Sequence, residues 1–131
     1  MNILLDTHFI LWVLADSQRL NSAERAALLD RDNNVYCSSI SFFEISLKFS
    51  LGKLRLQGVQ PDQLPGLMKS AGFLIQESDA DIYASFYQLE RGEHKDPFDR
   101  LLIWQAIQND FVLMSRDRSF SRYASAGLKL F

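Results

Sequence analysis

Four carboxylates, Asp6, Glu44, Asp99 and Asp117, fall where the sequence passes from strand-like to helix-like patterning. Each has an ordinary use when read alone. Asp6 follows Asn2-Ile3-Leu4-Leu5 and suits a helix N-cap. Glu44 has Lys48 four residues on, a pairing worth only a few tenths of a kcal/mol, but Ile40 and Leu47 share its helical face. Asp99 closes Asp96-Pro97-Phe98-Asp99, a good helix start in itself. Leu102 and Ile103, three and four residues on, nevertheless place Asp99 at the edge of a buried stripe. Asp117 suits an N-cap or Asx-turn, with Arg116 and Arg118 beside it. Together, carboxylates gathered at one edge repel each other unless a positive charge sits among them. Hard divalent cations such as Mg²⁺ favour all-oxygen sites of this kind. The chemistry expected of the pocket is phosphoryl transfer to water.

The elements that must bring these residues together alternate. Asn2–Leu5 reads as a short buried strand, and residues 8–15 as a helix apolar at nearly every position. Asn21-Ser22 starts a second helix, SAERAALLD, with its charges on the wet face. Val35-Tyr36-Cys37 is the second strand, and residues 40–51 form a helix stopped by Gly52. Lys53–Gly58 is a short excursion. Pro61–Ala71 reads as a helix ending before Gly72, with Pro65 near its first turn. Phe73-Leu74-Ile75 is the third strand. Ser78–Glu90 is expected to be one amphipathic helix opened by Ser78. Asp96-Pro97 opens a helix to about Asn109, Phe111–Met114 is the fourth strand, and Asp117 opens a short helix to Ala124. Leu128-Lys129-Leu130 is a small fifth strand. Such alternation implies right-handed crossovers and a parallel sheet with helices on both faces. Ligands then bind at the carboxyl ends of the strands, where the strand order reverses. All four carboxylates belong to that edge.

Composition sets the bounds. A chain of 131 residues with 47% hydrophobic content is expected to form a single domain spanning 1–131. It buries roughly two thirds of its unfolded surface without needing a disulfide or metal staple. No apolar run reaches the ~18 residues of a membrane helix, and the N-terminus lacks the basic leader of a signal peptide. The single cysteine, Cys37, lies in the apolar run VYCSS and reads as a buried small hydrophobe; a reducing, cytoplasmic location is expected. A net charge of −2, from 16 acids and 14 bases, excludes a general polyanion-binding surface. A nucleic-acid substrate would have to be held locally or with the help of cations.

Three segments carry a family resemblance: LLDTHFILWVL, SSISFFEISLKFSLGKLRL and HKDPFDRLLIWQAIQNDFVLMSRDRSF. In this order they span almost the whole chain. The sequence resembles PIN-domain ribonucleases, in particular the VapC-type toxins of toxin–antitoxin pairs. The resemblance implies an α/β fold, a three-layer α/β/α sandwich around a parallel sheet of four to five strands. It also implies a Mg²⁺- or Mn²⁺-dependent endoribonuclease site. The family's acids fall on Asp6, Glu44, Asp99 and Asp117, so every carboxylate position is filled. Asp96 is kept as a further ligand or a helix cap. Thr7 and Ser115 are expected to supply hydroxyls that orient the ligating groups. RNA is the implied substrate, and a cognate VapB-like antitoxin the implied partner; the resemblance also admits a homodimer. Phe9, Trp12, Phe42, Phe43 and Phe49 offer docking surface, although most are expected in the core. Lys48, Arg100, Arg116 and Arg118 are the expected substrate contacts, with Lys53 and Arg55 on the excursion, and phosphate contact would make binding salt-dependent.

Three other chemistries leave different marks. A metal-independent nuclease needs two acid–base groups, and His8 and His94 are the only histidines. A phosphoacceptor receiver would want an aspartate after a middle strand, where Gln76-Glu77-Ser78 stands, and a haloacid-dehalogenase-type phosphatase would want a second aspartate where His8 stands. A non-catalytic module would use the acidic pocket only to hold a cation or a basic peptide.

Overall fold

The structure, a computed structural model, describes residues 1–131. Its centre is a five-stranded parallel sheet: β1 (Asn2–Leu5), β2 (Asn34–Ser38), β3 (Leu74–Gln76), β4 (Val112–Met114) and β5 (Lys129–Leu130). The strand order is β3-β2-β1-β4-β5, and every pairing is parallel. The chain builds outward from β1 to β3 on one side, then returns to lay β4 against β1. The order therefore reverses between β1 and β4, where Leu5 pairs with Met114.

Strand alternation sends side chains to two cores. Leu4 and Leu113 pack with Leu102, Ile103, Trp104 and Phe120 on one face. Ile3, Leu5, Val35, Cys37 and Met114 pack with Phe9, Ile10, Ile45 and Met68 on the other. This is the expected sandwich. Its helices are α1 (Thr7–Ala15), α2 (Ser22–Leu29), α3 (Ser39–Ser50), α4 (Leu64–Ser70), α5 (Ala80–Ser85) and α6 (Pro97–Gln108). The helix α3 contributes Ile40 to the first core and Ile45 to the second. It thus spans the carboxyl edge of the sheet and carries Glu44 there. Cys37 is fully buried, and that burial pushes its thiol up to about 12. No helix is long and apolar enough to cross a membrane.

Some elements depart from the sequence reading. The expected helix over Pro61–Ala71 is α-helical only from Leu64, after a 3₁₀ turn at Pro61–Gln63. Pro65 has no N–H to give the Pro61 carbonyl, so the α-helical ladder cannot extend back. The expected helix over Ser78–Glu90 is α5 followed by a 3₁₀ turn at Phe86–Gln88. Its cap is Asp79, whose side chain accepts the Ile82 N–H. The Ser78 hydroxyl is instead taken by the Gln105 amide at 2.8 Å. Residues Arg118–Ala126 form a 3₁₀ helix. The charges of α2 are not all on a wet face, because Glu24 is buried and paired with Arg116.

Candidate metal centre

The two strands that flank the reversal, β1 and β4, are each followed by a polar group, Asp6 and Ser115. Asp6 stands between β1 and α1 in extended conformation but makes no cap hydrogen bond with its side chain. Its backbone N–H donates to the Met114 carbonyl at 3.0 Å, which pins it to the β4 side of the strand reversal. The side chain is buried. Oδ2 accepts the Ser115 hydroxyl at 2.7 Å, while Oδ1 is buried without a hydrogen-bond partner. The nearest positive group is His8 Nδ1 at 3.9 Å, too far for a hydrogen bond. The Asp6 carboxylate nonetheless raises the His8 pKa.

Glu44 is also buried. Thr7 Oγ1 lies 2.8 Å from Glu44 Oε1 and 2.8 Å from Ser41 Oγ. A hydroxyl has one proton and a carboxylate accepts only, so Thr7 donates to Glu44 and Ser41 donates to Thr7. Lys48 pairs with the other carboxylate oxygen, and that bond holds the Lys48 pKa above its ordinary value. Glu44 is therefore fully satisfied from within the chain, whereas Asp6 is not.

Asp96 caps α6: its Oδ1 accepts the backbone N–H groups of Phe98 at 2.9 Å and Asp99 at 3.2 Å. Asp99, on the first turn, is half-buried. Burial first, and then the Asp96 charge, push its carboxyl up to about 6, against the opposing hydrogen bond from His94. The Asp6 charge pushes the same way. The raised value reflects burial and neighbouring negative charge that the His94 contact does not fully offset. Asp117 caps the Arg118–Ala126 turn. Its Oδ1 accepts the Ser119 hydroxyl at 2.6 Å and the Ser119 N–H at 3.0 Å, and this holds its pKa below the ordinary carboxylate range.

The residue that sequence reasoning left out of the pocket is His94. Its Nε2 lies 3.0 Å from Asp99 Oδ2 and its Nδ1 lies 3.1 Å from Ser119 Oγ. Ligating atoms of His94, Asp99 and Asp117 all lie within 4.8 Å of one another; Asp6 and Glu44 stand outside that group. The available signal was the position of His94 inside HKDPFDR, but a residue in a polar loop has no periodicity that aims it.

The basic residues divide. Arg116, expected beside Asp117 and at substrate, turns away to bond Glu24, with Nε to Oε2 at 3.0 Å. It also stacks over Trp12 at 4.8 Å. Arg100 donates to the carbonyls of Leu89 and Glu90 at 3.1 and 3.2 Å and covers the Phe86 ring. Both guanidinium groups serve the fold in these positions. Lys48 stays next to the acids through Glu44, and Arg118 is exposed beside Asp117.

The arrangement matches a known fold and sequence family. A family model for the PIN domain matches residues 3–126. The chain belongs to the PIN-domain family. Among solved structures, this PIN domain is similar to VapBC2 from Rickettsia felis bound to a promoter DNA fragment. That match has a TM-score of 0.74 at 19% identity, covering 100% of this chain and 98% of the other. It is also similar to VapBC-1 from nontypeable Haemophilus influenzae, with a TM-score of 0.67 at 16% identity over 100% and 97% of the two chains. A third similar structure is FitAcB from Neisseria gonorrhoeae, with a TM-score of 0.61 at 25% identity over 98% and 96%. A comparison with curated protein sequences gives no match. The PIN fold expected from the sequence is thus the fold observed.

The residues at the edge suit a divalent cation. Asp6 Oδ1 is a buried carboxylate oxygen with no donor, and leaving such a group unpaired is costly. Asp99 is disfavoured as an anion in the absence of added positive charge. Oxygen donors from separate elements, next to the N-terminus of α6, are the donor set of a hard cation.

Proposed function

We propose that this PIN domain is a divalent-metal-dependent endoribonuclease, a VapC-type toxin restrained by a cognate VapB-like antitoxin. The orphaned, buried Asp6 oxygen at the strand reversal carries the reading. A buried carboxylate oxygen among other acids is suited to a cation as its partner.

Asp6, Asp99 and Asp117 would hold Mg²⁺ or Mn²⁺, with Glu44 contributing when it exchanges its Lys48 pairing. The cation would supply Lewis acidity, activating water and stabilising the leaving oxygen of a phosphodiester. Hydrolysis adds water across one P–O bond, leaving a phosphate on one fragment and a hydroxyl on the other. The chain's own part is positioning. Ser115 fixes one Asp6 oxygen, Thr7 fixes Glu44, and Asp96 sets the first turn of α6 and with it Asp99. Lys48 and Arg118, at the rim, suit the phosphates of the incoming strand.

The antitoxin reading rests on a second surface. The outer side of α1 and the excursion before α4 line an apolar groove with Leu11, Trp12, Leu14, Leu54, Leu56 and Leu67. Phe43, exposed on α3, lies outside it. Similar solved structures are VapBC and FitAB complexes, which supports a partner of this kind.

The test is cleavage of a fluorescent single-stranded RNA by the purified chain. Cleavage with Mg²⁺ or Mn²⁺, loss of it with EDTA and restoration by excess metal support the proposal. Cleavage undiminished by EDTA would favour acid–base chemistry by His8 and His94, and would defeat it.

A further inference from the structure

The His94 ring is held in one orientation by partners outside the acidic pocket. It meets Phe120 and Tyr123 edge-on, with centroids 5.4 and 6.5 Å apart. Asp117 Oδ1 accepts both the backbone N–H and the hydroxyl of Ser119, so the single hydroxyl proton of Ser119 is committed to Asp117. The contact between Ser119 Oγ and His94 Nδ1 at 3.1 Å then requires Nδ1 to be the donor. Nδ1 therefore carries a proton directed at Ser119, which leaves Nε2 as the ring nitrogen that can meet a cation.

Nε2 donates to an acid, and a bound cation would take the place of that shared proton. Nε2 lies 3.0 Å from Asp99 Oδ2, and Asp117 supplies a third ligating atom within 4.8 Å of both. Groups that share one divalent ion stand about 3–4 Å apart, so the trio needs little adjustment to share one. A metal-ligating histidine characteristically donates its other N–H to a carboxylate, carbonyl or water, which fixes its tautomer. Here Ser119 passes that hydrogen bond on to Asp117. Independently of the trio, Asp6 Oδ1 is a buried carboxylate oxygen with no hydrogen-bond partner at the same edge.

We propose that His94 Nε2 is a nitrogen ligand of the cation held by Asp99 and Asp117, and that it biases the site toward Mn²⁺ and Co²⁺ over Mg²⁺. The inference rests on the metal-dependent reading above and sharpens it. Mg²⁺ favours carboxylate, carbonyl and water oxygen, whereas imidazole suits first-row transition ions. The imidazole adds to whatever preference the carboxylates already give, so its removal narrows the difference between the two ions. The contact also gives Ser119 a defined task, since it holds Nδ1 outward and turns Nε2 toward the acids.

The decisive experiment is electron spin-echo spectroscopy of the Mn²⁺-loaded full chain, beside calorimetric titration with Mn²⁺ and Mg²⁺. The wild type is expected to show nitrogen modulation from one imidazole. His94→Gln should lose that modulation, and its preference for Mn²⁺ over Mg²⁺ should drop by about tenfold. His8→Gln should keep the modulation, since His8 is not among the groups whose ligating atoms cluster with Asp99 and Asp117. Bound Mn²⁺ without nitrogen modulation in the wild type would overturn the inference and leave the metal site standing, as would modulation that survives in His94→Gln. A wild-type chain that binds no Mn²⁺ would overturn both. The wild-type spectrum decides the matter even if a variant folds poorly.

Discussion

Ser115 donates a 2.7 Å hydrogen bond to Oδ2 of Asp6 and at the same time accepts the backbone N–H of Asp117 at 3.1 Å. One hydroxyl thus joins the ends of β1 and β4, the two strands between which the sheet order reverses. Ser115→Ala removes the donor from a buried carboxylate and is expected to lower stability by about 1–3 kcal/mol. It should also weaken Mn²⁺ binding by roughly 10- to 100-fold, because an oriented ligand becomes a loose one. Urea denaturation and calorimetric titration of the same preparation check the two effects.

Thr7 plays the matching part for Glu44. Thr7→Val keeps the shape but removes the proton that Glu44 Oε1 accepts and strands the Ser41 hydroxyl. A loss of about 1–3 kcal/mol is expected, and Thr7→Ser should recover most of it. Equal unfolding midpoints for Thr7→Val and wild type would show that water replaces the threonine at no cost.

Asp96 is a cap that happens to be charged. Asparagine caps as well as aspartate, so Asp96→Asn should hold stability within about 0.5 kcal/mol, while Asp96→Ala should lose about 1 kcal/mol. Because its Oδ1 already serves two backbone donors, Asp96→Asn should also keep Mn²⁺ affinity within severalfold. A loss of binding comparable to that of Asp99→Asn would make Asp96 a ligand.

The Glu24–Arg116 pair gives a pH signature away from the candidate ligands. Arg116 is the main cause of a Glu24 pKa below its ordinary 4.5. The unfolded chain therefore takes up this proton at higher pH than the folded one. The pair's contribution is complete above about pH 5 and is lost as pH falls through the folded pKa. Thermal unfolding should show the stability advantage of wild type over Glu24→Gln shrinking from pH 6 to pH 3. A constant difference would mean that the pair contributes nothing that depends on ionisation.

How much of this the sequence carried follows from how local each signal is. The strand–helix alternation, the Asp96-Pro97 start of α6 and the burial of Cys37 were legible because each rests on neighbours in sequence. Glu44 was legible as a buried acid from Ile40 and Leu47 on its face. The placement of Arg116 was not: its partner Glu24 lies 92 positions away, and nothing local distinguishes it from Arg118. The Ser78 cap failed because Gln105, from α6, takes the Ser78 hydroxyl and leaves Asp79 to close the helix. His94 was visible only as a loop histidine. Its meaning comes from Ser119, which the fold brings beside it from 25 positions on.

Asp6, held by Ser115 at Oδ2 and unpartnered at Oδ1, is proposed to hold a cation for RNA hydrolysis. The most direct test is Asp6→Asn, measured for single-turnover cleavage of RNA in saturating Mn²⁺ and for its urea midpoint. An amide costs less to bury than an unpaired charge, so the midpoint should stay level or rise, while the cleavage rate falls by orders of magnitude. An Asp6→Asn protein that cleaves at the wild-type rate would contradict the account.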